Sequence, residues 1–201
     1  MDKATKQRID ARIIELLEAD QLHEAAEMAI SSYGPGIFGM YMGVFHDEAV
    51  AQDTFQHFSL QLWKSLPSFQ GRSAFFTWAF TLARRSISRT LERPERRRED
   101  RLDTHQANNL PEHWSRTATA EWRRTANRNR FQKMCADLDP EERTLIMLRI
   151  DQELPWKEIA VVMHDDDDAP LEGKDLSHRA ALLRKRFERI KNKLRQAAQD
   201  D

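Results

Sequence analysis

Arginines and aromatic rings, rather than acid–base pairs, carry the chemistry open to this sequence. The densest grouping runs Ser68-Phe69-Gln70-Gly71-Arg72-Ser73-Ala74-Phe75-Phe76-Thr77-Trp78 and on through Ala79-Phe80-Thr81-Leu82-Ala83 to Arg84-Arg85. Flat rings offer stacking faces worth ~1–3 kcal/mol per stacked base, and guanidinium groups hold phosphate oxygens. Hydrolytic and redox chemistries lack their residues. There is no glycine-rich phosphate loop, no HExxH, no CxxC, and no Ser/His/Asp grouping that can be assembled. The seven histidines are scattered singly and read as surface or packed side chains. Counted from Asp165, the Asp165–Asp168 run has Pro170 and Leu176 where a calcium loop needs glycine and glutamate, so it reads as an acidic, solvated insertion. The one cysteine, Cys135, excludes an internal disulfide, suits a reducing cytoplasm and reads as a small buried apolar residue. The expectation is a protein with no enzymatic activity, metal or cofactor of its own.

The elements that position these residues read as helices throughout. Ser73 is the expected N-cap of a helix on which Phe75, Trp78, Ala79, Leu82 and Ser86 form one strip. Phe76, Phe80, Ala83, Ile87 and Leu91 form a second strip beside it. Two apolar strips imply burial between several neighbours, so most of these rings belong to a core. Upstream, residues 5–19 carry Ile9, Ile13, Leu16 and Leu17 at helical spacing, and a helix from Leu22 to Ser32 is expected to break at Tyr33-Gly34-Pro35-Gly36. Another covers Ile37 to Phe45. His46-Asp47 then offers a cap for a long helix reaching Leu66, before Pro67. On it Ala51, Phe55, Phe58, Leu62 and Leu66 face one way, and Asp53, Gln56, Leu60 and Trp63 the other. A Trp and a Leu beside Asp and Gln, away from the core stripe, fit either a partner-binding face or a solvated face with a half-buried ring.

Periodicity decays between Arg93 and Ala120, which reads as a linker between two units. A second helical unit starts near Trp122 or Asn127, with Phe131, Met134, Cys135 and Leu138 helically spaced. Asp139-Pro140-Glu141-Glu142 supplies a cap, a proline at the first helical position and an acid at the third. Pro155 opens a short helix with Ile159, Val162 and Met163 apolar, and Ser177 is the expected cap of a long last helix. Leu183, Phe187, Ile190 and Leu194 form the apolar side of that last helix. Lys185, Glu188, Arg189 and Asn192 lie opposite, with Arg184 at the edge. Two short helices followed by a basic one suggest a helix-turn-helix.

Charge is sorted along the chain. The formal net charge is only −1 across 201 residues, yet Arg84 to Arg101 holds eight arginines against four acids. His178 to Arg195 holds eight Lys/Arg against Glu188 alone. Two basic patches about ninety residues apart suit a protein that touches DNA at two places. No run has the length of a membrane span, and the N-terminus lacks a signal peptide's apolar segment.

The order of residues from Phe69 to Trp78, a loop of the form F-x-G-x-S-A-F followed by T-W, resembles region 2 of bacterial sigma factors, and is most similar to the extracytoplasmic-function (ECF) group. Ala51-Gln52-Asp53-Thr54-Phe55-Gln56 is similar to the A-E-D-x-x-Q signature of region 2.2. Leu138 to Leu145 resembles the L-x-P-E-x-R-x-L opening of region 4, Leu154-Pro155-Trp156-Lys157-Glu158-Ile159-Ala160 its L-S-Y-x-E-I-A helix, and Leu183 to Arg189 its recognition helix. The resemblance implies an all-α chain with an extension at 1–21, region 2 at 22–98, a linker at 99–125 and region 4 at 126–201. It implies a cytoplasmic, dissociable subunit of RNA polymerase core that directs transcription from the promoters of a stress- or signal-responsive regulon.

Several site assignments follow from the resemblance. Asp53, Gln56, Leu60 and Trp63 would grip the clamp helices of the polymerase β′ subunit, while region 4 would meet the β flap. The loop Phe69, Gln70, Gly71, Arg72, Ser73 and Ala74, with Trp78 and Arg85, would hold a flipped base of the promoter −10 element. Arg84, Arg89 and Arg93 would hold phosphates there. Arg184, Lys185, Glu188 and Arg189 would enter the −35 major groove, with Lys157 on the backbone. An anti-sigma factor is the implied regulatory partner. The chain departs from the family's pattern at Arg85, where asparagine is common, at Arg89, where aspartate is common, and in the long insertion from His164 to Leu176.

Overall fold

The computed structural model describes residues 1–92, 137–164 and 171–200. Among them every regular element is helical and none is a strand, so the chain is all-α. The linker at 99–125, Arg93, Phe131, Met134, Cys135 and the run Asp165–Asp168 lie outside the described residues.

The first helical block holds α1 (Lys3–Glu18), α2 (Leu22–Phe45), α3 (Glu48–Ser65) and α4 (Phe75–Glu92), with a single 3-10 turn, Leu66–Ser68, after α3. Asp2 caps α1 by accepting from the Thr5 amide at 2.9 Å. Ile13 and Leu16 are buried, and the helix packs on α2 and α4.

The break expected at Tyr33-Gly34-Pro35-Gly36 is absent. α2 continues through Pro35 for 24 residues. An interior proline costs ~3 kcal/mol or more, but Ile37, Phe38, Met40, Tyr41, Met42 and Val44 are all buried just beyond it. Each such side chain is worth roughly 1.5–3 kcal/mol, so burial of the helix's second half outweighs the local penalty. The glycines there serve close packing. A Cβ on Gly36 would meet Gln152 Oε1 at 2.9 Å, and one on Gly43 would meet Met147 Sδ at 2.9 Å.

His46, in the left-handed conformation (φ 55°), ends α2, and Asp47 caps α3 by accepting from the Ala49 and Val50 amides at 2.9 and 3.1 Å. The face Ala51, Phe55, Phe58, Leu62 and Leu66 is buried as its spacing predicts. α4 lies against α1, α2, α3 and a helix of the second block. Its polar arc is covered too, for Thr77, Thr81 and Arg84 are buried along with the aromatic strips.

The second block comprises α5 (Pro140–Ile146), a π-helical turn (Met147–Asp151), α6 (Trp156–Val162) and α7 (Gly173–Asp200). Asp139 and Glu142 form the expected capping box. Ser177, the expected cap of the last helix, lies inside it and donates to the Gly173 carbonyl at 3.1 Å. α7 starts a turn earlier, at Gly173, whose left-handed φ of 51° marks the boundary, and Leu171 and Leu176 pack on the core there. The two blocks share one apolar core. Arg143 Nη1 donates to the Val44 carbonyl at 2.7 Å, Thr77 Oγ1 donates to Glu158 Oε2 at 3.1 Å, and Lys6 Nζ donates to the Gln152 carbonyl.

Candidate nucleic-acid and partner interfaces

The loop Phe69–Ala74 connects the 3-10 turn to α4. Gly71 has φ 67° with open space around it, a left-handed turn that residues bearing a Cβ adopt at a cost. Gln70, Arg72 and Ala74 are exposed, and Ser73 is partly so. Behind the loop the rings of Phe69, Phe75 and Trp78 close on one another, with centroids 5.1 to 5.2 Å apart. Phe75 is buried and forms the floor, while Phe69 and Trp78 keep part of their surface in solvent. Such a trio can present an aromatic face to a flat, unstacked partner beside a loop backbone that is free to approach it.

Ser73 does not cap α4; its hydroxyl donates to the Ala74 carbonyl at 3.3 Å. The Phe76 amide donates instead to Asp10 Oδ1, at 3.0 Å, from α1. The three described arginines of α4 differ in availability. Arg89 is exposed. Arg85 is half-buried, and burial, followed by the nearby Arg89 and Arg84 charges, lowers its pKa. Arg84 is only 10% exposed in its side chain and lies 3.8 Å from Glu141 of α5. In this arrangement Arg84 faces protein; to reach a phosphate it must leave Glu141.

On the outer side of α3, Asp53, Gln56, Leu60 and Trp63 line up one above the other, opposite the buried Phe55 and Phe58. Gln56 is exposed and the other three are partly so. The His23 ring meets Trp63 edge-on at 6.0 Å, which ties the start of α2 to this face. The result is a stripe with one half-buried aromatic ring, the residue type enriched at interface centres, beside a carboxylate and an amide of the kind found at a polar rim.

α7 buries Leu183, Phe187 and Ile190 and exposes Arg184, Lys185, Glu188 and Arg189, as their spacing predicts. Lys191 pairs with Glu188 at 3.1 Å. Arg186 turns inward to α5, 2.7 Å from Glu141 and 3.2 Å from Asp139. Those carboxylates hold its guanidinium above the ordinary value against the effect of burial. Trp156, at the start of α6, meets Phe187 at 5.4 Å and lies under the Arg149 guanidinium at 5.0 Å, so α6 and α7 are held together while Lys157 stays exposed beside them.

The structure brings the loop residues and Trp78 together at one place, the α3 stripe at a second, and the α7 cations at a third. Two contributors escaped the sequence reading. Asp10 had one signal, an acid on the same helical strip as Ile13 and Leu17. Glu141 stands in the capping segment and in the L-x-P-E motif, but nothing in the spacing signals that it meets both Arg84 and Arg186. Among the described residues no group of His, Cys, Asp and Glu is assembled to hold a metal ion, and no helix is long and apolar enough to cross a membrane.

Residues 29–98 match the family model described as Sigma-70 region 2. The RNA polymerase sigma-H factor of Pseudomonas aeruginosa is 29% identical over 77 residues, which cover 38% of this chain and 39% of that protein. The matched length is thus well under two thirds of the relative. The family match takes in most of α2, all of α3, the aromatic loop and α4, which together carry the first two surfaces described above.

Proposed function

We propose that this chain is a sigma factor of the ECF group that directs bacterial RNA polymerase core to specific promoters. The observation that carries the reading is the Phe69/Phe75/Trp78 trio behind an open glycine loop, inside the stretch similar to Sigma-70 region 2. Extruding a base costs a few kcal/mol, and stacking returns ~1–3 kcal/mol per base. An aromatic trap of this kind therefore helps melt a −10 element without nucleotide hydrolysis. The loop Phe69–Ala74, with Trp78 and Arg85, captures the base, while Arg89, together with Arg84 once it is released from Glu141, holds phosphates. The stripe Asp53, Gln56, Leu60 and Trp63 docks on the clamp helices of the β′ subunit. The exposed side of α7, with Lys157, reads the −35 major groove, and the second block meets the β flap. The working place is the cytoplasm, the regulon is stress- or signal-responsive, and the regulatory partner is an anti-sigma factor.

The test mixes purified protein with bacterial core polymerase and a promoter library, then maps transcript starts. Wild type is expected to give specific transcripts. Trp63→Ala is expected to lose them by failing to bind core, and Trp78→Ala by binding core without opening DNA. Sequence-specific DNA binding without any core binding would instead make the chain a free-standing helix-turn-helix regulator. On the selected −35 site, Arg189→Ala is expected to cost about 1–3 kcal/mol and to relax preference at the contacted base. Equal weakening on every sequence would make Arg189 a phosphate clamp.

A further inference from the structure

α4 begins without a capping side chain of its own. Ala74 stands just before its first residue; the Ala74 carbonyl accepts from the Trp78 amide at 3.1 Å, and its methyl group can accept nothing. The role falls to Asp10, from the middle of α1. Its Oδ1 accepts the Phe76 amide at 3.0 Å and the Tyr33 hydroxyl at 2.6 Å. Tyr33 is buried, with its ring edge-on to Phe76 at 5.1 Å and roughly parallel to Phe75 at 6.5 Å. One carboxylate thus joins α1, α2 and the first turn of α4 where the aromatic loop ends. Burial pushes the Asp10 carboxyl up, and the hydrogen bonds from Tyr33, Phe76 and Phe75, with the nearby Lys6 charge, pull it back. A partly buried acid that costs desolvation energy at this position is held there by these donors.

We propose that Asp10 is a positioning residue for base capture: an N-cap delivered from α1 that sets the first turn of α4, and with it the placement of Phe75 and Trp78 against Phe69. The inference rests on the reading of this loop as a base trap and extends that unit to a helix upstream of residues 29–98. Three full-length variants test it: Asp10→Ala, Asp10→Asn, and Asp10→Ala combined with Ala74→Ser. The last places a hydroxyl acceptor at the local cap position. Two quantities are read on each, the hydrogen exchange of the Phe76 amide and the quenching of Trp fluorescence by random-sequence single-stranded DNA. Asp10→Ala is expected to speed Phe76 exchange about 5-fold, the effect of a lost cap, and to weaken single-strand binding. It should leave core-polymerase binding unchanged. Asp10→Asn, which keeps an acceptor oxygen, is expected to behave as wild type in both readouts, and Ala74→Ser to restore slow exchange in the alanine background.

Unchanged Phe76 exchange in Asp10→Ala would overturn the cap. Faster exchange with unchanged single-strand affinity would overturn the positioning role. If wild type takes up no single-stranded DNA while the exchange differences hold, the base-trap reading falls, and the positioning role with it, while the cap stands.

Discussion

Phe55→Ala is expected to destabilise the protein by about 3–5 kcal/mol, the range for removing a fully buried phenylalanine. The Phe55 side chain is 0% exposed. Its ring lies 5.9 Å from Phe38, 6.4 Å from Tyr41 and 5.8 Å from Phe58, so α2 and α3 are joined through it. Those neighbours are stiff rings, and Tyr41 is fixed further by donating its hydroxyl to the Ala83 carbonyl at 3.1 Å. Collapse into the space left behind is therefore limited, and the cost should fall toward the upper end. Against a total stability of ~5–15 kcal/mol for a typical domain, the loss is large. Urea denaturation measures it as a lower midpoint at similar slope. A loss under about 1 kcal/mol would mean that this aromatic cluster is not the packing centre. Because Phe55 lies between Asp53 and Gln56 on the same helix but points inward, the variant also separates loss of fold from loss of the stripe proposed to meet polymerase.

Gly43→Leu is expected to cost ~3 kcal/mol, at the upper end for overpacking a filled core, and to displace the second block. Even a Cβ at Gly43 would lie 2.9 Å from Met147 Sδ, 3.2 Å from its Cε and 3.3 Å from its Cγ. Met147 is buried in the turn between α5 and α6, so a leucine has no room until that turn moves. Leucine raises helix propensity by ~0.8–1 kcal/mol over glycine, which offsets part of the clash and none of the displacement. Small-angle scattering should show a larger radius of gyration for the variant, together with a lower thermal midpoint. A stabilised, equally compact variant would show that Met147 swings aside at no cost.

Much of the fold was legible in local sequence because the signals are themselves local. Asp47 and the Asp139/Glu142 pair cap helices through bonds spanning two or three residues. The stripe from Ala51 to Leu66 follows from helical geometry alone, and so does its opposite face with Asp53 and Trp63. What misled was decided by distant partners. Pro35 signals a break, yet the residues after it gain more from burial against α3, α4 and the second block than the proline costs. Ser73 is a good cap by type, but an acid 63 positions earlier takes the Phe76 amide instead. By type and position Arg84 groups with the other arginines of its run. Its packing against Glu141, on a helix more than fifty residues away, leaves no trace in the spacing.

The seating of α5, the Met147–Asp151 turn and α6 on α2 and α4 has a thermal consequence. The contact buries apolar surface beside its polar ties, with Met147 against Gly43 and a single core running through both blocks. Parting the blocks would hydrate that surface and raise the heat capacity, as unfolding does on a larger scale. A partner that binds the blocks apart would then show a heat-capacity change less negative than its own buried area implies, because part of the apolar surface it covers replaces surface already covered within the chain. Calorimetric titration at several temperatures reads that difference directly, and it makes the resting arrangement of the helices visible in the temperature dependence of binding.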